Sequence, residues 1–285
     1  MASWKIHVLG TETAMSVGGR RFPLPEIAWT LFGCLLSSPR RSINRVKLAS
    51  ELWPDSNEDA ARRCLATSLW RIKKRLPCFD ALVISQGDRV SLADSKNVWI
   101  DAVVFEHRAQ RALTDRHWLD GAANRKKLRR ALHFYGGELL VRQDHEMIMI
   151  ERERLRALYL DASFQLAHAT SQHGEWHDTL EICRALCVVE PLREDAQRLL
   201  IEAYAACGNR ALAIQQYHDL QQLLSVELAV RPMRETRDVV ERISRVTLPP
   251  VMDSGATNRA LLIEARQQMM QTLGLIDQAL TQLRP

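Results

Sequence analysis

Arg62-Arg63-Cys64-Leu65-Ala66-Thr67-Ser68-Leu69-Trp70-Arg71-Ile72-Lys73-Lys74-Arg75-Leu76 carries six basic residues and not one acid. Leu65, Leu69, Ile72 and Leu76 recur at helical spacing. One face of such a helix packs into a core while the other presents guanidinium and ammonium groups to a polyanion. Upstream, Arg45 to Trp53 is a second short amphipathic segment, buried through Val46, Leu48, Ala49 and Leu52, with Asn44 as its N-cap. Pro54-Asp55-Ser56-Asn57 between them is turn chemistry, and either Ser56 or Asn57 caps the basic helix. Downstream, Leu82 to Leu92 has a hairpin pattern around the polar tip Gln86-Gly87-Asp88-Arg89. Helix, turn, basic helix and hairpin together predict a winged helix-turn-helix suited to duplex DNA.

The residues before this unit predict a small antiparallel sheet. Ile6-His7-Val8-Leu9 and Met15-Ser16-Val17 flank a polar break, and Gly18-Gly19 turns the chain into Arg20-Arg21-Phe22. Pro25 then opens a helix through Ile27, Leu31, Leu35 and Leu36, which Ser38-Pro39 ends. Charge is placed unevenly. Residues 1–100 hold fifteen Lys/Arg against nine Asp/Glu, whereas the remainder holds twenty-four against twenty-five. The basic excess therefore sits in the N-terminal third, as expected of a nucleic-acid-binding domain.

At 285 residues the chain is long enough for two domains with their own cores. Six cysteines (Cys34, Cys64, Cys78, Cys183, Cys187, Cys207) lie scattered, with no CxxC pair and no compact disulfide framework. No basic-then-apolar leader follows Met1, and no apolar run approaches the ~20 residues that span a bilayer. The expectation is a cytoplasmic protein with reduced thiols and no membrane partner, nucleoid-associated when bound to DNA.

From Asp101 onward the pattern is helical, so the fold class is mainly α: an N-terminal winged helix-turn-helix (α+β) followed by an all-α tetratricopeptide-like helical repeat domain. Gly174 matches Gly208, Leu166 matches Leu200, Leu186 matches Leu220 and Cys183 matches Tyr217, all at a spacing of 34 residues. Each glycine falls between two helical stretches and Pro191 closes the first unit. That is the tetratricopeptide period, whose units stack because none buries its apolar face alone. Helices around Val103 to Leu113 and Ala122 to Leu139 extend the stack. The expected divisions are 1–100 for the winged helix, 101–246 for the helical domain, 247–257 for a linker and 258–285 for a last helix. In that helix Leu262, Met269, Ile276 and Leu283 recur every seven residues, joined by Leu273 and Leu280. The stripe either makes a homodimer or caps the last repeat.

Two blocks resemble one known family. Arg45-Val46-Lys47-Leu48, Glu51-Leu52-Trp53 and Leu69-Trp70-Arg71-Ile72-Lys73-Lys74-Arg75-Leu76 resemble the OmpR-type winged helix. Tyr135-Gly136-Gly137-Glu138-Leu139-Leu140, Glu151-Arg152-Glu153-Arg154-Leu155, Glu190-Pro191-Leu192-Arg193-Glu194, Ala205-Ala206-Cys207-Gly208-Asn209 and Glu227-Leu228 before Arg231-Pro232 resemble the bacterial transcriptional activator domain of SARP-like (antibiotic-regulatory-protein) regulators. The likeness covers about Ile6 to Ile243. It implies a DNA-binding transcription activator that recruits RNA polymerase. Ala229 stands where the family usually has glycine, and no GxxxxGK phosphate-binding sequence occurs.

Site roles follow from residue chemistry. Arg63, Thr67, Trp70 and Arg71 are placed for base edges, arginine bidentate to guanine and Thr67 or Trp70 against a thymine methyl. Trp70 alternatively plugs the sheet. Lys73, Lys74 and Arg75 suit phosphates, with Arg62, Arg45 and Lys47 alongside, and Arg89 either enters the minor groove or lies on the backbone. A fragment ending near Val104 is expected to keep the DNA contacts while losing activation. Cys183 and Cys187 read as small packing residues rather than metal ligands, and His145-Glu146 lacks the HExxH spacing because Met149 replaces the second histidine. No catalytic, metal or cofactor site assembles, which predicts a non-enzyme. The competing class is a tetratricopeptide-type adaptor whose basic helix binds an acidic partner.

Overall fold

The alternating N-terminal pattern becomes strands β1 (Trp4–His7), β2 (Thr13–Ser16) and β3 (Arg21–Phe22) in this computed structural model, which describes residues 4–16, 18–115 and 117–245. Pro25, held extended, then leads into α1 (Glu26–Ser37). A 3-10 turn at Pro39–Arg41 and the short β4 (Ser42–Asn44) follow. Asn44 caps α2 (Arg45–Leu52), its Oδ1 accepting from the Val46 N–H at 2.8 Å. Of the two candidate caps on the basic helix, Asn57 does the work: its Oδ1 accepts from the Ala60 N–H at 2.8 Å and starts α3 (Glu58–Arg75). The short α4 (Phe79–Leu82) precedes the hairpin, β5 (Val83–Gln86) and β6 (Arg89–Leu92).

Two pairings were not visible in the sequence. β4 joins the hairpin as a third strand, in the order β4-β6-β5 with Ile43 opposite Val90. β7 (Val98–Ile100) returns to the first sheet and runs parallel to β1, with Ile6 opposite Ile100, giving the order β3-β2-β1-β7. The chain then enters α5 (Asp101–Thr114). Asp101, only 1% exposed, fixes that junction. Its carboxylate accepts the Val8 N–H at 3.0 Å, the Leu9 N–H at 3.2 Å and, at the helix start, the Ala102 N–H at 2.7 Å. These donors would otherwise be buried without acceptors.

α6 (Ala122–Phe134) stops short of the expected Leu139. The strand edge explains why: the Gly10 N–H donates to the Glu138 carbonyl at 2.9 Å and the Leu140 N–H to the Val8 carbonyl at 2.8 Å. Residues after Phe134 are thus drawn out of the helix to satisfy the continuation of β1. The remaining helices are α7 (Glu146–Gln172), α8 (Trp176–Val189), α9 (Glu194–Ala206), α10 (Arg210–Glu227) and α11 (Arg234–Arg245). From α7 to α10 each packs on the next. Gly174 and Gly208, at φ +71° and +80°, end α7 and α9 in the left-handed conformation that glycine adopts without strain. The register expected from the 34-residue repeat holds, since Leu166, Leu200, Leu186 and Leu220 are all buried.

One core runs through the winged helix into the helical repeats. Leu139, Leu140, Ile148 and Leu155 belong to the same buried cluster as Ile6, Phe32, Leu65 and Ile72. α1 lies against α7 so closely that a Cβ at Gly33 would come 2.3 Å from Ile148 Cδ1 and 2.9 Å from Leu140 Cδ1. His145 extends the join to α2. Its Nδ1 accepts the Met147 N–H at 3.3 Å, which leaves Nε2 to donate to the Glu51 carbonyl at 3.2 Å. The chain divides into two compact units, Met1–Thr236 and Arg237–Pro285, and of the second only the 237–245 part of α11 is described. The linker and the heptad helix expected over 247–285 lie outside the described residues.

Candidate nucleic-acid interface

The basic helix has two distinct sides. Ala61, Leu65, Leu69 and Ile72 are buried against the winged-helix core, and Leu76 follows them at the helix end. At about 100° per residue, Arg63, Thr67, Trp70 and Lys74 point directly away from that seam, with Arg71 on the flank. All five are exposed. Trp70 is 56% exposed, which overturns its alternative role as a plug in the sheet. Its ring instead carries Lys74 Nζ at 4.0 Å from the centroid. This pair borders a groove of about 330 Å³ that also involves Pro25, Ile27, Ser68 and Arg75. Pro25 and Ile27, read in the sequence only as the start of a helix, were not expected at this site, because only the fold brings them beside α3.

The other basic residues are partly engaged at the surface. Arg62 Nη2 lies 2.7 Å from Glu58 Oε1, and Lys73 Nζ lies 2.8 Å from Asp80 Oδ1. Both are exposed pairs of small energetic weight, so a phosphate can displace the carboxylates at little cost. Arg75 and Lys47 are exposed, and Arg45 is half-buried with its guanidinium donating to Ser85 Oγ on β5. The Arg45 N–H also donates to the Asp88 carbonyl at 2.7 Å, tying α2 to the hairpin tip.

Arg89 on β6 is exposed and bonds to β4. Its Nε donates to Ser42 Oγ and its Nη2 to the Ser42 carbonyl, both at 2.9 Å, so the guanidinium lies back along β4. The tip is left to Gly87 and Asp88, whose carboxylate accepts from Asn44 Nδ2 at 3.1 Å. The signal was non-local: β4 pairs with β6 across 47 residues, as the Arg89–Ser42 separation records.

Four of the thiols are held in apolar surroundings. Burial pushes Cys183 and Cys187 up to about 12, as it does Cys34, and Cys78 up to about 11. His145 serves as the N-cap of α7. Among the described residues no group of three or more His, Cys, Asp or Glu side chains is placed to hold a metal ion. None of the described helices is long and apolar enough to cross a membrane. The expected dimerisation residues Leu262, Met269, Leu273, Ile276, Leu280 and Leu283 lie outside the described residues.

Comparison with known proteins adds four findings. The family described as "Bacterial transcriptional activator domain" matches residues 100–244. "Regulatory protein AfsR" of Streptomyces coelicolor is 26% identical over 216 residues, covering 75% of this chain and 21% of that protein. Its counterpart in Streptomyces griseus is 24% identical over 215 residues, covering 75% and 22%. The chain therefore spans about a fifth of the length of these relatives. Among solved structures, "Mycobacterium tuberculosis EmbR in complex with low affinity phosphopeptide" superposes with a TM-score of 0.67 at 19% identity, covering 94% of this chain and 72% of that one. At that identity the likeness speaks to the fold, and the fold is shared: a winged helix-turn-helix joined to a helical-repeat domain.

Proposed function

This chain belongs to the bacterial transcriptional activator domain family, as a SARP-like regulator, and from that premise we propose that it is a sequence-specific DNA-binding transcription activator that recruits RNA polymerase. The observation that carries the proposal is the outward side of α3, where Arg63, Thr67, Trp70, Arg71 and Lys74 stand exposed with no acid between Asp59 and Asp80. Such a helix lies in the major groove, its Arg and Thr at base edges and Lys73, Lys74 and Arg75 on phosphates. α2 crosses the backbone with Arg45 and Lys47, and the β5–β6 hairpin flanks the groove. Residues 1–100 hold the DNA contacts and 101–246 the activating surface. For the latter, Met149 and Ile150 at the start of α7 supply exposed apolar side chains, 49% and 66% accessible, of the kind that anchor a protein partner. The protein works in the cytoplasm, at the nucleoid, and carries out no catalysis. It acts as a homodimer through Leu262, Met269, Leu273, Ile276, Leu280 and Leu283.

The test is a binding titration. Duplexes selected from a randomised pool, and scrambled versions of them, are titrated with the full chain at physiological salt. Selective binding is the expected result. Equal affinity for selected and scrambled duplexes refutes sequence-specific recognition and favours an adaptor that uses the same basic face on an acidic protein.

A further inference from the structure

The near-zero charge of the helical domain conceals a second cationic surface. α6 reads Arg125-Lys126-Lys127-Leu128-Arg129-Arg130. Two of its arginines are paired with carboxylates, Arg125 buried and Arg129 partly exposed. Arg125 Nη2 lies 2.6 Å from Glu175 Oε1, and Arg129 Nη1 lies 2.6 Å from Asp178 Oδ2 while its Nη2 meets Glu181. Lys126, Lys127 and Arg130 face outward within about 100° of one another around the helix. Among the described residues none of the three pairs with a carboxylate. Lys127 Nζ reaches only the Asn124 Oδ1, at 3.3 Å. From α5, Arg108 joins them, its Nη1 donating to the Lys127 carbonyl at 3.2 Å. Burial, and then the neighbouring Arg130 guanidinium, lower the Arg108 pKa. Like charges are crowded here, an arrangement that a bound polyanion relieves.

This surface is continuous with the winged helix. Arg89 on the hairpin bonds to Ser42, and Ser42 adjoins the Arg40-Arg41 turn. Arg41 Nη2 anchors that turn to α5 through Glu106 Oε2 at 2.7 Å. Between turn and helix runs a groove of about 770 Å³ bordered by Arg40, Arg41, Asp94, His107 and Arg108. Glu106 on its wall is already neutralised by Arg41 and Arg154, leaving Asp94 as the acid to be screened. A protein partner would need apolar anchors. In α5 and α6 the exposed large hydrophobic residue is Leu113, at 38%, whereas the prominent apolar side chains lie elsewhere, Val188 at 83% and Ile150 at 66%. Exposed Lys and Arg without an apolar centre suit phosphates.

We propose that duplex DNA bound by the winged helix continues past the hairpin onto the helical domain, its phosphates seated on Arg40, Arg108, Lys126, Lys127 and Arg130. This rests on the DNA-binding role assigned to α3. The footprint is then asymmetric, extended on the hairpin side, and the domain assigned to activation also adds sequence-independent affinity.

The test uses the selected site embedded in duplexes of two helical turns (about 20 base pairs) and four (about 40). Full-length protein and the exposed-residue variant Lys126→Gln/Lys127→Gln/Arg130→Gln are titrated by fluorescence anisotropy across a salt series, with unchanged thermal melts as the folding control. The wild type should bind the longer duplex at least about ten-fold more tightly, with a salt slope steeper by about four to five. The variant, which keeps Arg40 and Arg108, should lose about two to three of that slope and most of the affinity increment. If the variant keeps the full long-duplex increment, the surface does not carry DNA. If it keeps that increment but loses activation with purified polymerase, the surface faces a protein and the proposal is overturned. Failure of the wild type to select any site would remove the α3 assignment itself, an outcome distinct from loss of the increment alone.

Discussion

A fragment ending at Val104 should fail to fold, although the winged-helix residues assigned to DNA all precede it. The reason lies in what α7 and the segment before it contribute to the winged-helix core. Leu139, Leu140 and Ile148 are each 0% exposed and belong to the cluster that contains Phe32, Leu65 and Ile72. At about 1.5–3 kcal/mol per fully buried aliphatic side chain, their loss removes roughly 5–9 kcal/mol. That figure is an upper bound, because the unfolded chain already buries part of this surface. Truncation also strips acceptors from the Gly10 N–H and a donor from the Val8 carbonyl, and removes the Gln143 partner of Thr30. A whole domain has only about 5–15 kcal/mol of stability, so the loss is comparable to everything available. Fragments 1–104 and 1–174 should therefore differ sharply in far-ultraviolet circular dichroism melts. The first should show no cooperative transition and the second, which retains α7, should show one. The same melts, with duplex titrations beside them, test the sequence-based expectation that the short fragment keeps the DNA contacts. A cooperative melt of the 1–104 fragment within a few degrees of the full chain, with duplex affinity retained, would refute the argument and mean that the α1–α7 contact is dispensable.

Arg71→Ala should cost about 1–3 kcal/mol of duplex affinity and relax preference at one base position, whereas Lys74→Ala should weaken all sequences alike and flatten the salt slope by about one unit. A uniform loss for Arg71→Ala, read by selection on the variant, would move Arg71 to the phosphates. Because burial raises the Cys34, Cys183 and Cys187 thiols from 9.0 to about 12, they stay protonated in the fold at pH 8. Iodoacetamide should label them only on unfolding, and stability should fall as pH rises above about 9, where the unfolded thiols ionise and the folded ones do not. Arg125, 7% exposed at its side chain, bridges Glu175 and the carbonyls of Leu119 and Asp120, so Arg125→Ala should destabilise by about 1–3 kcal/mol in urea melts. Ile276→Asp should shift the protein toward monomer and lower operator affinity; light scattering that shows the intact protein already monomeric at micromolar concentration would exclude the heptad stripe as an interface.

What was legible in the sequence shares a property: its partners lie within one helix or one turn. The seam of Leu65, Leu69 and Ile72 is a local period, and Asn44 and Asn57 cap helices two or three residues away. The hairpin tip is equally local. What escaped depends on chain segments far apart in sequence. The parallel pairing of β1 with β7, the role of Asp101 under Val8 and Leu9, and the close approach at Gly33 all require the fold to be known first. The same distinction explains the charge on α6. Summed over residues 101–285 the ionisable groups nearly cancel, which suggests a neutral surface. In the fold, Glu175, Asp178 and Glu181 pair with Arg125 and Arg129, so these charges cancel in local ion pairs. Lys126, Lys127 and Arg130 are left facing outward, and a net charge near zero coexists with a surface able to hold phosphates. Composition counts charges without regard to direction, and on this domain direction decides what the charges can bind.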